Sequence, residues 1–220
     1  MKQNGLMELL KTRRTYRRFD QTKKIPDDAV NDIVRAQQYA SCGNNRQPLR
    51  YIVVRDEKLV EEIFGITRWA ASLPPEQGQP KDGEHPVMFV VVLEDNKLKN
   101  AITGTDAGLA ISNMTLAAWN HGIGSCIIAN VKKDALKELL SIGEEYTVNC
   151  VVAFGYPTHK STIVEVMASV ESAIRSLVTR EYFIPICPMA IPSHTAIAGK
   201  TIGVPPAMAT PCFTAATILS

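Results

Sequence analysis

From Thr105 to Gly122 the chain carries a helix-length segment with no wide polar face, because Leu109, Ala110, Ile111, Met114, Leu116, Ala117, Ala118 and Trp119 surround it with apolar groups. A helix that is apolar on nearly every side must be buried, inside a domain or in a subunit interface, so the other elements have to be arranged around it. Thr105 and Asp106 suit its N-terminal end. His121-Gly122 suits the other end, where glycine takes up the left-handed cap and a histidine meets the negative end of the helix dipole. The sequence near His121 offers no recognisable acid partner, so the residue reads as structural rather than catalytic.

Val87 to Leu93, just ahead of this helix, is an almost continuous apolar run, the pattern of a strand covered on both faces. Leu6, Leu9 and Leu10 fall at helical spacing, and a second helix begins at Pro26, buries Val30, Ile33 and Val34, and runs out near Ala40. Tyr51-Ile52-Val53-Val54 reads as a strand, and Leu59, Val60, Ile63 and Phe64 give the following helix its inner face. Cys126 to Ala129 is a further strand, Asn130 a cap for a helix that buries Leu136, Leu139 and Leu140, and Tyr146 to Phe154 a last strand. Helices and strands interleave without a linker or a repeat, which predicts one domain over residues 1–165. Thr67 to Pro86, with four prolines and two glycines, reads as a functional loop or lid. Trp69 at its start either covers a flat ligand or anchors the loop to the core. Residues 166–220 differ in kind. Beyond Tyr182 the one formally charged side chain is Lys200, and six of the thirteen prolines lie between Pro185 and Pro211, which disfavours helix.

A formal charge of +2 on 220 residues is nearly balanced, which argues against a dedicated nucleic-acid binder. The five cysteines, Cys42, Cys126, Cys150, Cys187 and Cys212, form no CxxC pair and no ligand spacing with the four histidines. They read as reduced thiols, which predicts a cytoplasmic protein with neither a disulfide framework nor a metal site. No apolar run reaches membrane-spanning length.

Against this balanced background Arg13-Arg14-Thr15-Tyr16-Arg17-Arg18-Phe19 stands out, with four guanidinium groups and two hydroxyls in seven residues. Guanidinium forks match phosphate oxygens in bidentate geometry, although a solvated basic turn would have the same composition. Ser41-Cys42-Gly43-Asn44-Asn45-Arg46-Gln47-Pro48 is a turn-rich loop dense in amides, suited to reading the edge of a heterocycle. Gly122-Ile123-Gly124-Ser125 follows a helix and opens a strand, the reverse of a dinucleotide-binding loop, so it is not one.

Taken together, these segments resemble the FMN-dependent nitroreductase family over roughly residues 6 to 157. Arg13 to Phe19 matches an RRSxRxF pattern and Ser41 to Pro48 an SxxxNxQP loop. Asp106-Ala107-Gly108, Leu116-Ala117-Ala118 and Gly122 to Ser125 follow as a DxG, LAA and GxGS series in the family's order. The resemblance implies an α+β fold, a three-layer sandwich with a mainly antiparallel central sheet flanked by helices and a long buried central helix. It implies FMN as cofactor, with Arg13, Arg14, Thr15 and Arg17 holding the phosphate and reaching toward the pyrimidine edge of the ring. Asn45 and Gln47 would border the flavin, and backbone groups around Ile128, Ala129 and Asn130 would face N5. The family often carries a glutamate-glycine pair at that last position, so Ala129-Asn130 is a departure.

The activity implied is reduction of an aromatic acceptor such as a nitroaromatic or quinone by NADH or NADPH, in a one-pocket, two-step scheme. Arg17 is the candidate stabiliser of the reduced ring, and no side chain is required as acid, base or metal ligand. A homodimer is implied as well, with the flavin at its interface and residues 166–220 as an arm on the partner subunit. Three other readings compete: another flavin reaction such as dehydrogenation or dehalogenation, an FMN carrier or sensor without turnover, and an RNA-binding module using Tyr16 and Phe19 as stacking groups.

Overall fold

The computed structural model describes residues 5–70, 78–161 and 216–219, the last as backbone alone. Its centre is a five-stranded sheet of β1 (Leu49–Val54), β2 (Met88–Asp95), β3 (Gly124–Ile128), β4 (Tyr146–Gly155) and β5 (Ala216–Leu219), in the order β3-β4-β2-β1-β5. The pairs β1–β2, β2–β4 and β3–β4 are antiparallel, and β5 adds a parallel edge against β1. β2 runs down the middle, where Val90 lies between Val53 of β1 and Val152 of β4. Both faces of β2 are covered, which explains why its sequence is continuously apolar rather than alternating.

Helices cover the two faces separately. On one side α2 (Asp27–Ala36) and α4 (Thr103–Asn120) bring Ile33, Ala107, Ala110, Ile111 and Met114 against Val53, Val90, Val92 and Val152. On the other, α3 (Glu57–Gly65) and α5 (Lys133–Leu139) bring Val60, Ile63 and Leu136 against Phe89, Val91, Val151 and Ala153. The result is the expected three-layer α+β sandwich. Side chains as fully buried as Phe89, Phe154 and Met114 each contribute about 1.5–3 kcal/mol through lost water contact.

Local departures from the sequence reading have physical causes. Asp56 caps α3 by accepting the Leu59 N–H at 2.9 Å, whereas α5 starts after Lys132 without a side-chain cap. Asn130 is therefore not a helix cap; its carbonyl is taken by the Arg68 N–H at 2.9 Å. α4 begins at Thr103, two residues earlier than the Thr105 start, with Asp106 inside its first turn. It ends as expected, at Gly122 with φ 72°. Burial of α4 is one-sided within the chain: Asp106, Ala107, Ala110, Ile111, Met114 and Ala118 face the core, while Gly108, Leu109 and Ser112 are exposed. α1 (Leu6–Thr12) buries none of its residues, and Leu6, Met7 and Leu10 face outward. The proposed arm lies largely outside the described residues; its one described piece, β5, pairs within its own chain.

Candidate functional site

α1 delivers the arginine segment to the far end of α4. The chain leaves the helix at Arg13 in an extended conformation and runs beside the start of β3, where Thr15 bridges Ser125 in parallel and the Tyr16 N–H donates to the Ser125 carbonyl at 2.9 Å. Two contacts of Trp119 hold this arm in place. Tyr16 stacks on Trp119 with ring centroids 5.3 Å apart, and Trp119 Nε1 donates to Thr12 Oγ1 at 2.8 Å. Gly124 is required by the same packing, since a Cβ there would lie 2.9 Å from Tyr16 Cδ2 and 2.7 Å from Pro157 Cγ. The glycine loop thus serves the close approach of the arm, a role its spacing alone did not reveal.

The arginines then separate by partner. Arg18 pairs with Glu84 at 3.4 Å and Phe19 is fully buried, so the end of the segment is structural. Arg13, Arg14 and Arg17 are half-buried and have no carboxylate partner among the described residues; Arg14 Nη1 donates to the Arg13 carbonyl at 2.6 Å. Three cations without carboxylate partners among the described residues thus lie within five positions beside the start of β3, a composition suited to an anion. Arg17 lies near Cys126: burial pushes that thiol up to about 11, and the guanidinium charge partly offsets the rise.

The amide loop is held at the other end of α4. The Asp106 carboxylate accepts the Gly43 N–H at 3.0 Å, and within the loop Gln47 Nε2 donates to Asn45 Oδ1 at 2.8 Å. Asn45 is exposed and Gln47 half-buried. Trp119 and Asp106, the two anchor points, are separated by about 20 Å along the helix axis at ~1.5 Å per residue. The structure therefore places Arg13, Arg14, Thr15 and Arg17 together beside β3, and Asn45 and Gln47 together at a distance from them.

Ile128 is buried at the end of β3, while Ala129 and Asn130 form an exposed turn beyond it. Their carbonyls accept the Val131 N–H at 3.1 Å and the Arg68 N–H at 2.9 Å. Trp69 resolves as an anchor: it is buried, donates to Thr67 Oγ1 at 3.0 Å and meets Phe19 edge-on. His121 does have an acid partner, Asp32 of α2, with Nε2 2.9 Å from Oδ2. That partner lies 89 positions away in sequence, which is why no local signal revealed it. The pair ties α2 to the end of α4. A cleft of about 350 Å³ between Lys24, Arg55, Glu61 and Val87 contains none of the predicted site residues. Among the described residues no cluster of three metal-ligating side chains forms, and no helix is long and apolar enough to cross a membrane.

The molecule is a three-layer α+β sandwich that carries, beside its edge strand β3, three guanidinium groups without carboxylate partners among the described residues. A sequence model of the nitroreductase family matches residues 10–156, and the chain belongs to that family. It is 29% identical over 166 residues to an Archaeoglobus fulgidus protein provisionally named NADH dehydrogenase/NAD(P)H nitroreductase, across 72% of this chain and 89% of that one. It is 25% identical over 168 residues to an iodotyrosine deiodinase of Thermotoga neapolitana, across 69% of this chain and 88% of that one. Among solved structures, a nitroreductase-like protein of Desulfovibrio desulfuricans in complex with FMN superimposes with a TM-score of 0.61 at 22% identity, over 76% of this chain and 95% of that one. At that identity the likeness bears on the fold alone.

Proposed function

We propose that this protein is an FMN-dependent oxidoreductase in which NADH or NADPH is the reductant and an aromatic compound, a nitroaromatic or quinone, is the acceptor. The observation that carries the reading is the set Arg13, Arg14 and Arg17, three guanidinium groups without carboxylate partners among the described residues, aligned on β3. The donor set fits a phosphate monoester in chemistry and in reach. From Ser125, where the arm joins β3, to the turn at Ala129-Asn130 is ~13–17 Å of strand, comparable to a phosphate, a five-carbon chain and part of a fused ring. FMN, when bound, supplies the hydride acceptance and donation.

Each residue then has a defined task. Arg13, Arg14 and Thr15 bind the phosphate, and Arg17 puts a fixed cation beside the pyrimidine edge, where negative charge would otherwise be stabilised by water. The carbonyls of Ala129 and Asn130 are engaged within the chain, so the groups that this reading assigns to the ring are the N–H groups of the turn. Asn45 and Gln47 supply hydrogen bonds to its polar edge.

The separation along α4 gives the reading a second component. One copy's amide loop and its own arginine arm are anchored at points ~20 Å apart along α4, whereas a second chain packed antiparallel on the exposed side of α4 would bring its amide loop to the first chain's arm. Gly108, Leu109 and Ser112 of α4 and the outward Leu6, Met7 and Leu10 of α1 provide the surface. We therefore read the protein as a homodimer with composite sites. Mixing an Arg13→Ala chain with an Asn45→Ala/Gln47→Ala chain tests this, because each heterodimer regains one intact site. A population that binds FMN more tightly than either parent after mixing is the expected result, and two weakened parents that stay weak after subunit exchange would contradict it.

Turnover is tested by mixing the FMN-loaded protein with NADH or NADPH in a stopped-flow instrument and then with a nitroarene or quinone. Bleaching of the flavin band by at least one nucleotide, followed by its return with acceptor and parallel-line steady-state kinetics, is expected. A band that stays oxidised with both nucleotides would leave a carrier or sensor. The deiodinase relative supports a second reading, reductive dehalogenation of an aromatic halide, which iodide release from an iodophenol would distinguish.

A further inference from the structure

Asp106 is 4% exposed in the first turn of α4 and has no cationic partner among the described residues. Its carboxylate is directed instead at the amide loop. Oδ1 accepts the Gly43 N–H at 3.0 Å, and the Cys42 thiol donates to Oδ2 at 3.4 Å. The same sulfur accepts the Gln47 N–H at 3.2 Å, and Gln47 in turn donates through Nε2 to Asn45 Oδ1 at 2.8 Å. A continuous chain of contacts thus runs from Asp106 to both amides assigned to the flavin.

The loop needs such a hold. Asn44, Asn45 and Gln47 have φ of 52°, 52° and 51°, a left-handed conformation in which each non-glycine residue is disfavoured. Three of them in four positions persist where surrounding bonds over-determine the shape. One outside anchor is Arg50, whose Nη1 donates to the Gln47 carbonyl at 2.9 Å while its Nη2 meets Asp95 at 3.3 Å. Asp106 is the other, at the loop's opposite end. It is mounted on a helix whose next turns carry Ala107, Ala110, Ile111 and Met114 into the core, so the anchor point is rigid.

We propose that Asp106 is a positioning residue of the cofactor site, setting the backbone of Cys42 and Gly43 and, through them, the presentation of Asn45 and Gln47. The proposal rests on the FMN reading for its consequence and on the loop geometry for its cause, and the two can be tested apart. Asp106→Leu keeps the branched shape at greater bulk and removes both acceptors, whereas Asp106→Asn keeps the size and an oxygen for Gly43. Hydrogen exchange measured by mass spectrometry on the full-length apoprotein, together with FMN titration by fluorescence, reads both levels.

In Asp106→Leu, peptide 41–48 should exchange about tenfold faster or more while peptide 88–95 in β2 is unchanged, and FMN should bind about tenfold more weakly or worse. Asp106→Asn should return both quantities to within about threefold of the original protein. Original exchange in 41–48, or an equal acceleration in 41–48 and 88–95, would overturn the positioning role in favour of none or of a purely global one. If the original protein takes up no FMN while the loop responds as stated, the flavin reading fails and the anchoring of the loop stands.

Discussion

Arg13 and Arg18 have the same side chain five positions apart and different surroundings: Arg18 meets Glu84, whereas Arg13 has no carboxylate partner among the described residues. That distinction decides what each substitution does. Arg13→Ala should weaken FMN binding roughly ten- to a hundredfold, the loss of one charge-assisted bond, and leave the melting temperature nearly unchanged, since the residue touches no core cluster. Fluorescence titration checks the first part and calorimetry the second. The sequence marked the cluster; it could not sort its members, because Glu84 approaches Arg18 through tertiary structure. Buried thiols give another prediction. Burial pushes Cys126 and Cys150 from 9.0 to about 11, so an unfolded chain releases these protons at lower pH than the folded one. Their contribution to stability is present in full below about pH 9 and is lost as pH rises toward 11. Urea unfolding at pH 7.5, 9 and 10 should show this decline, and Cys126→Ala/Cys150→Ala should flatten it.

At the scale of elements, α4 organises the fold in a way the sequence conveyed incompletely. Its length and apolar character were legible, as was the glycine that ends it. Its use as a spacer was not, since that depends on Asp106 and Trp119 gripping segments from elsewhere in the chain at its two ends. Met114, fully buried between the sheet and α2, tests the packing: Met114→Ala should cost about 2–5 kcal/mol through lost burial and the cavity left behind, measured by the shift in urea midpoint at unchanged slope. Trp119→Phe should act differently. It keeps the stacking on Tyr16 and removes the bond to Thr12, so a stability loss of about 0.5–1.5 kcal/mol should come with looser FMN binding through the displaced arm. Four of the five strands were legible, with β2 and β4 apolar enough to declare burial on both faces, whereas β5 was not read, because its segment lies in the proline-rich tail. Asn130 was misread because an amide before a helical pattern resembles a cap, while here the backbone turns through Ala129-Asn130 to meet Arg68.

For the whole molecule, the proposed cofactor site draws on two regions of one chain, and in the proposed dimer the exposed apolar residues on α1 and α4 would be the surface on which a second chain completes it. Leu109, 43% exposed, is the point to test this without disturbing the core. Leu109→Asp should shift the sedimentation profile toward monomer and reduce FMN binding in parallel, with the monomer still folded by circular dichroism; a monomer that binds FMN as well as the original protein would show that the site is complete within one chain. The division was not readable from spacing, because motifs at residues 13–19 and 45–48 look adjacent along the chain whatever their separation in space. The most direct test of the central claim is the absorbance spectrum of the purified protein titrated with FMN and then freed of unbound cofactor by gel filtration. Retention of the flavin band at close to one FMN per chain, reduced in Arg13→Ala, is the predicted result, whereas a protein that elutes without any flavin band after saturation would contradict it.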